Sequence, residues 1–160
     1  MPSMKILLIA GGWSSEREVS LTGARGMQEA LLKRGHAVTF FDLLENFDEL
    51  LETARQHDFA LINLHGSPGE DGLVQAMLEK ADCPYQGSGP SGSFLALNKA
   101  AAKQIFRMAG LPTADWEFLP VRPAEGWEPR LPWPLFVKTT TGGSSLRLGR
   151  ATNRQELDAI

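Results

Sequence analysis

Apolar residues in the first half of the chain fall into short dense runs separated by amphipathic stretches. Residues 5–10 (KILLIA) form a continuous apolar run ending in Gly11-Gly12, the pattern of a strand buried on both faces. Ser14 or Ser15 then offers a helix cap, with Glu16 and Glu18 in the first turn, where carboxylates favour the positive end of the helix dipole. Val19, Ala24, Met27, Ala30 and Leu31 follow at helical spacing, and Gly35 stops the element. Residues 37–41 predict a second strand, 47–56 a helix, 59–64 a third strand and 72–80 a further helix. This alternation predicts an α/β fold, a parallel sheet with helices on both faces. In such sheets the functional loops lie at the carboxyl ends of the strands. Two loops fall there, residues 11–16 and 65–72.

Beyond residue 84 the pattern changes. A turn-rich stretch, 84–92, leads into a helical segment over 93–109 that contains Lys99 and Lys103 and is broken by Leu111-Pro112. Pro120, Pro123, Pro129 and Pro132 lie between Trp116 and Trp133 and mark a connector. Residues 135–138 predict a strand, 139–145 a polar glycine-containing loop, and 146–150 an exposed hairpin strand. Asn153 caps a helix that runs only to Ile160 without a stop signal, which points to a chain cut from a longer one.

Composition adds exclusions. The 160 residues are 42% hydrophobic and 22% charged, ordinary for a soluble domain. A net charge of −3 with scattered basic residues excludes a nucleic-acid footprint and a polybasic membrane surface. No apolar stretch approaches the roughly 20 residues that span a bilayer. The apolar run near the start is short for a secretory signal and has no clear cleavage site. Cys83 is the only cysteine, so no internal disulfide forms and a reducing compartment fits. With three dispersed histidines, no metal-ligand spacing is present. The expectation is a cytoplasmic protein.

Four segments carry candidate chemistry. GGWSSEREVS, from Gly11 to Ser20, is a glycine turn feeding a helix start whose N–H groups face any occupant. By local chemistry alone it reads first as a plain strand-to-helix turn, since the G-x-G-x-x-G spacing is absent. LHGSPGEDG, from Leu64 to Gly72, holds three glycines that let backbone approach a ligand or turn tightly, with His65 at the strand end. Glu70 and Asp71 there also serve as caps for the next helix. PYQGSGPSGSFLALNKAAAK, from Pro84 to Lys103, sets Lys99 and Lys103 one helical turn apart, as a solvated basic face or as a phosphate contact. PLFVKTTTGGSS, from Pro134 to Ser145, ends a strand on Lys138. A lysine on a buried strand needs an anion, and the Thr/Gly/Ser loop after it suits a phosphate cover or a surface hairpin. It lacks the Walker order.

In their order and spacing these four segments resemble the D-alanine–D-alanine ligase family of the ATP-grasp superfamily. Its signatures GG-x-S-x-E-[RHK]-x-VS, LHG-x-x-GEDG, PY-x-GS followed by DK and K, and VKP…EGSS align with Gly11–Ser20, Leu64–Gly72, Pro84–Lys103 and Val137–Ser145. The resemblance covers the chain as the amino-terminal part of such an enzyme. It implies a Rossmann-like, pre-ATP-grasp, substrate-binding domain over residues 1–112. The beginning of the ATP-grasp α+β domain would follow over 113–160. The implied reaction joins two D-alanine molecules for peptidoglycan precursors, and so for the cell wall and cell shape. ATP first converts one carboxylate to an acyl phosphate, which the amine of the second D-alanine attacks. On the same basis Glu16 and Ser144 are catalytic residues linked by a relay. Glu16, Val19 and His65 bind D-alanine, and Lys99, Lys138, Ser144 and Ser145 bind ATP. Magnesium is implied with ligands outside this chain, as is the homodimer common in the family.

Departures from the family pattern stand at Asn98 for aspartate, Thr139 for proline, Gly142 for glutamate and Arg147 for glycine. They leave two rivals open: a ligase with another second substrate, and a binding module without chemistry. The chain by itself is expected to be inactive.

Overall fold

The computed structural model describes residues 2–124, 126–143 and 148–160. The chain divides into two compact units, Met1–Leu97 and Asn98–Ile160. Lys99 and Lys103 therefore belong to the second unit, whereas a boundary at residue 112 would leave them in the first.

The first unit is a three-stranded parallel sheet in the order β2-β1-β3, with β1 Lys5–Ala10, β2 Ala37–Asp42 and β3 Phe59–Ile62. The central strand carries the apolar run because both of its faces are covered. Leu7 and Ile9 point to one face, where Phe41, Leu43, Leu50, Val74, Leu78 and Cys83 complete the larger core. Leu8 and Ala10 point to the other and pack with Ala24, flanked by Leu21, Val38 and Leu61. Helices on both faces are thus as the alternation of elements predicts. Ala60 also bridges in parallel to Tyr85, beyond the edge of β3.

Helix α1 spans Arg17–Lys33 and buries Ser20 and Ala24. The expected apolar stripe is corrected here. Val19 is 63% exposed and Met27 is also exposed, while half-buried Leu21, Gln28 and Leu31 share the inward side with Ala24. Helical geometry explains the difference: Val19 lies about 140° around the axis from Ala24. Ser14 caps the entering turn rather than the helix. Its hydroxyl accepts the Glu16 N–H at 3.1 Å and its carbonyl accepts that of Arg17.

The helix expected over 47–56 starts earlier and is interrupted: α2 Leu43–Asn46, a 3-10 turn Phe47–Glu49, then α3 Leu50–Ala54. Asp42 causes the early start, because its side chain accepts the Leu44 N–H at 3.1 Å. Helix α4, Leu73–Lys80, follows Gly72, whose φ of +94° opens it.

The single helix expected over 93–109 is two, α5 Pro90–Leu97 and α6 Lys99–Met108. Asn98 separates them in an extended conformation, and its side chain accepts the Ala101 N–H at 3.0 Å as the cap of α6. In the second unit β4 Leu135–Val137 pairs antiparallel with β5 Gly149–Ala151. Helix α7, Arg154–Asp158, is capped as expected by Asn153, which accepts the Glu156 N–H at 3.0 Å. Ala151 is the one buried apolar residue among the described residues of this unit. No helix among the described residues is long and apolar enough to cross a membrane.

Candidate functional site

The loop after β1 is held from both sides. Gly11 and Gly12 take φ of +76° and +75°, a region that L side chains resist. At Gly11 a Cβ would also meet the ion pair beside it, standing 2.5 Å from Arg17 Nη1 and 2.9 Å from Asp42 Cγ. That pair is bidentate: Arg17 Nη1 donates to Asp42 Oδ1 at 2.7 Å and Nη2 to Oδ2 at 2.6 Å. Arg17 Nη1 also donates to the Gly12 carbonyl at 3.3 Å. The hydrogen bond from Arg17 holds the Asp42 carboxyl below the ordinary aspartate range, against a smaller opposing effect of burial. One ion pair therefore fixes the loop backbone, the start of α1 and the end of β2.

On the other side, buried Ser20 ties the same loop to β3. Its Oγ accepts the Gly11 N–H at 2.8 Å and donates to the Asn63 carbonyl. Asn63 Nδ2 returns a bond to the Ser20 carbonyl at 2.6 Å. Edge-to-face packing of Trp13 on Phe47, with ring centroids 5.4 Å apart, covers the loop tip.

The loop after β3 is equally constrained. Gly66 donates to Glu70 Oε2 at 2.9 Å, and the Glu70 N–H donates to the Gly66 carbonyl at 2.7 Å. Asp71 accepts from Leu73 N–H at 3.0 Å and from the Ser67 hydroxyl. The capping role expected of this acidic pair is corrected: Gly72 is the N-cap of α4, Asp71 outside it accepts only the first helical N–H, and Glu70 closes the loop on itself. A Cβ on Gly69 would collide with Leu64, so the loop tolerates only glycine at that packing distance. Gln75, buried on α4, donates to the Gly69 carbonyl at 2.6 Å and fixes the loop from below.

These two loops meet. A Cβ on Gly66 would stand 3.7 Å from Glu16 Oε2 and 3.4 Å from Ser14 Cβ. The Glu16 carboxylate therefore lies against the loop that begins at His65. His65 is half-buried, and Val19 stands on the exposed side of α1. A carboxylate and an imidazole on neighbouring loops at the carboxyl edge of a parallel sheet can hold a small cationic group.

In the second unit Lys99 opens α6, and its ammonium donates to the Gly142 carbonyl at 2.6 Å, while its backbone N–H donates to Thr140 at 2.9 Å. The glycine-containing loop after β4 is thus tied to the α6 start. An ammonium has three donors, so two remain for an anion. Lys103 is turned elsewhere, to Thr113 Oγ1 at 2.9 Å and the Ala114 carbonyl at 2.7 Å. Lys138 does not end a buried strand. It is exposed, and β4 before it is half-buried with Phe136 59% exposed, because a two-stranded ribbon covers little surface. Ser144, Ser145 and Arg147 lie outside the described residues. No group of three or more His, Cys, Asp or Glu side chains could hold a metal among the described residues.

The family resemblance points to Glu16 and His65, and sequence reasoning passes over Ser20, Asn63, Arg17 and Asp42. Ser20 carries one usable signal, a polar residue four positions before Ala24 on the buried side of α1. Arg17 and Asp42 carry none, since no local spacing relates a helix start to the end of the next strand.

No family model matches the sequence. The D-alanine–D-alanine ligase of Desulfovibrio desulfuricans is 76% identical over 157 residues, covering 98% of this chain and 51% of that protein. That of Nitratidesulfovibrio vulgaris strain Hildenborough is 67% identical over 154 residues, covering 96% of this chain and 51% of that protein. Among solved structures, the D-alanine–D-alanine ligase of Bacillus anthracis complexed with ATP superimposes with a TM-score of 0.84 at 35% identity. It covers 98% of this chain and 53% of that one. The chain spans about half the length of the curated relatives it matches.

Proposed function

We propose that this chain is the amino-terminal half of a D-alanine–D-alanine ligase and that it supplies the first amino-acid site of that ATP-dependent enzyme. In this reading Glu16 accepts the ammonium of one D-alanine, with His65 and Val19 beside it. Lys99 and Lys138 meet ATP phosphates, and Ser144 and Ser145 belong to the loop that covers them. The product is D-alanyl-D-alanine for peptidoglycan, made in the cytoplasm by a dimeric enzyme, with magnesium ligands drawn from residues beyond this chain.

The observation that carries the reading is the position of Glu16 Oε2 against Gly66, which puts an acidic acceptor over the His65 loop. Carboxylate–ammonium bonds are charge-assisted and stronger than neutral ones, so a zwitterionic amino acid gains specifically there. In the second unit, Lys99 is already oriented by Gly142 and has donors to spare. A developing phosphoryl charge is stabilised by such pre-placed cations.

The test is a chimera in which this chain replaces the matching half of the Desulfovibrio desulfuricans ligase. Phosphate release dependent on D-alanine is expected from the chimera and not from the 160-residue chain alone. Glu16→Gln in the chimera should raise the KM for D-alanine at least about tenfold, the loss of roughly 1.4 kcal/mol, and leave the KM for ATP unchanged. Turnover indifferent to D-alanine, or a Gln variant with unaltered KM, would sink the proposal.

A further inference from the structure

Ser20 and Asn63 form a closed, buried loop of hydrogen bonds between α1 and the end of β3. Ser20 is fully buried and Asn63 nearly so. Three bonds converge on Ser20 from the segments flanking the site. The Gly11 N–H reaches its hydroxyl at 2.8 Å, the hydroxyl reaches the Asn63 carbonyl, and the Asn63 amide reaches the Ser20 carbonyl at 2.6 Å. A fourth bond runs from the Ser20 N–H to the Glu16 carbonyl at 3.1 Å. The same residue therefore grips the backbone of Glu16 and the strand that delivers His65 two positions after Asn63.

We propose that Ser20 and Asn63 are a positioning pair that sets the separation of Glu16 from the His65 loop and thereby the fit of the D-alanine ammonium group. The inference rests on the reading given under Proposed function and deepens it. Neither side chain touches substrate. The pair acts through the loops it joins: α1 cannot slide along its axis without stretching the bonds to Asn63, and any such slide carries Glu16 with it. Buried hydrogen bonds of this kind are costly to leave half-made, so the pair tolerates one geometry. Gly23 supports this. A Cβ there would stand 3.0 Å from Asn63 Nδ2, so the small residue one turn along α1 keeps the amide free to reach Ser20.

The experiment uses the same chimera and four variants: Ser20→Ala, Asn63→Leu, Ser20→Thr and Gly23→Ala. Ser20→Ala and Asn63→Leu should each raise the KM for D-alanine five- to twentyfold while the KM for ATP stays within twofold of the parent. The double variant Ser20→Ala/Asn63→Leu should be no worse than the poorer single one, because the two act as a unit. Ser20→Thr keeps the hydroxyl and should retain most of the parental KM. Gly23→Ala, which crowds the amide without removing a bond, should give a smaller rise in the same constant. Should Ser20→Ala fail to fold, Asn63→Leu and Gly23→Ala, which leave the serine in place, still decide the matter. Variants that lower the unfolding temperature yet keep the parental KM for D-alanine would overturn the positioning role. An unchanged KM in Glu16→Gln would instead overturn the underlying reading, so the two failures are distinguishable.

Discussion

Replacing Gly11 with alanine tests how the loop after β1 is held, and Gly35 provides the matched control. Both glycines sit in the left-handed region, at φ of +76° and +83°. A non-glycine residue there costs about 1 kcal/mol or somewhat more. Around Gly35 nothing lies within 4 Å of an added Cβ, so Gly35→Ala should cost only that. At Gly11 the Cβ meets the Asp42 carboxylate and Arg17 Nη1, 2.5 Å away. The arginine end can swing out, but the carboxylate also caps α2 through the Leu44 N–H. Displacing it loses an N-cap, worth about 1 kcal/mol, besides the ion pair. Gly11→Ala should therefore cost at least about 2 kcal/mol by the sum of those two effects. Urea titration followed by NMR of the Leu7 and Ile9 methyl groups reports the first unit alone. The difference between the two variants should be at least about 1 kcal/mol, or roughly 4–8 °C in Tm for a unit of this size. In an Asp42→Ala background the Gly11 penalty should fall to that of Gly35. Equal penalties at the two glycines in the parent chain would refute the reasoning, since they would mean that the Arg17–Asp42 pair constrains nothing at Gly11.

Two further outcomes follow from the same structure. The Asp42 carboxyl titrates below its ordinary value, chiefly through the hydrogen bond from Arg17, so its contribution is complete above the unfolded aspartate pKa of about 3.9. It is lost as pH falls below that value through the folded pKa; Asp42→Asn should flatten the decline in stability of the first unit below about pH 4, as read by urea midpoints across pH. At the start of α6, Asn98→Ala should destabilise the helix by about 1 kcal/mol, whereas Asn98→Asp, which keeps a side-chain acceptor, should preserve it. Amide hydrogen exchange at Ala101 measures both, and equal protection in the two variants would count against the cap.

The sheet was legible because a parallel strand buried on both faces leaves an uninterrupted apolar run, and KILLIA has no competing reading as an amphipathic helix. The two loops at the strand ends were legible because strand signals stop there and glycines begin, whereas the roles expected of Glu16 and His65 came from the family resemblance alone. Two kinds of error have physical causes. Periodicity placed Val19 with Ala24, because apolarity alone does not reveal that Ser20, a polar residue, occupies the inward position by satisfying its hydroxyl on Gly11 and Asn63. The break at Asn98 was hidden inside a run of helix-favouring residues, and only the side-chain bond to Ala101 marks it. The clamp of Arg17 on Asp42 joins residues whose proximity is created by the sheet, so no window along the chain contains it.

The place of β1 in the chain has a consequence for biosynthesis. β1 is made before β2 and β3 yet lies between them, with β2 on one edge and β3 on the other. A growing polypeptide must therefore hold the strand it will bury most deeply with one edge bare until Phe59–Ile62 has left the ribosome. Bare edges invite pairing with other nascent chains. Through that interval α1 is the available shield, laying Ala24 and Leu21 over one face of the strand while the other waits for α3 and α4.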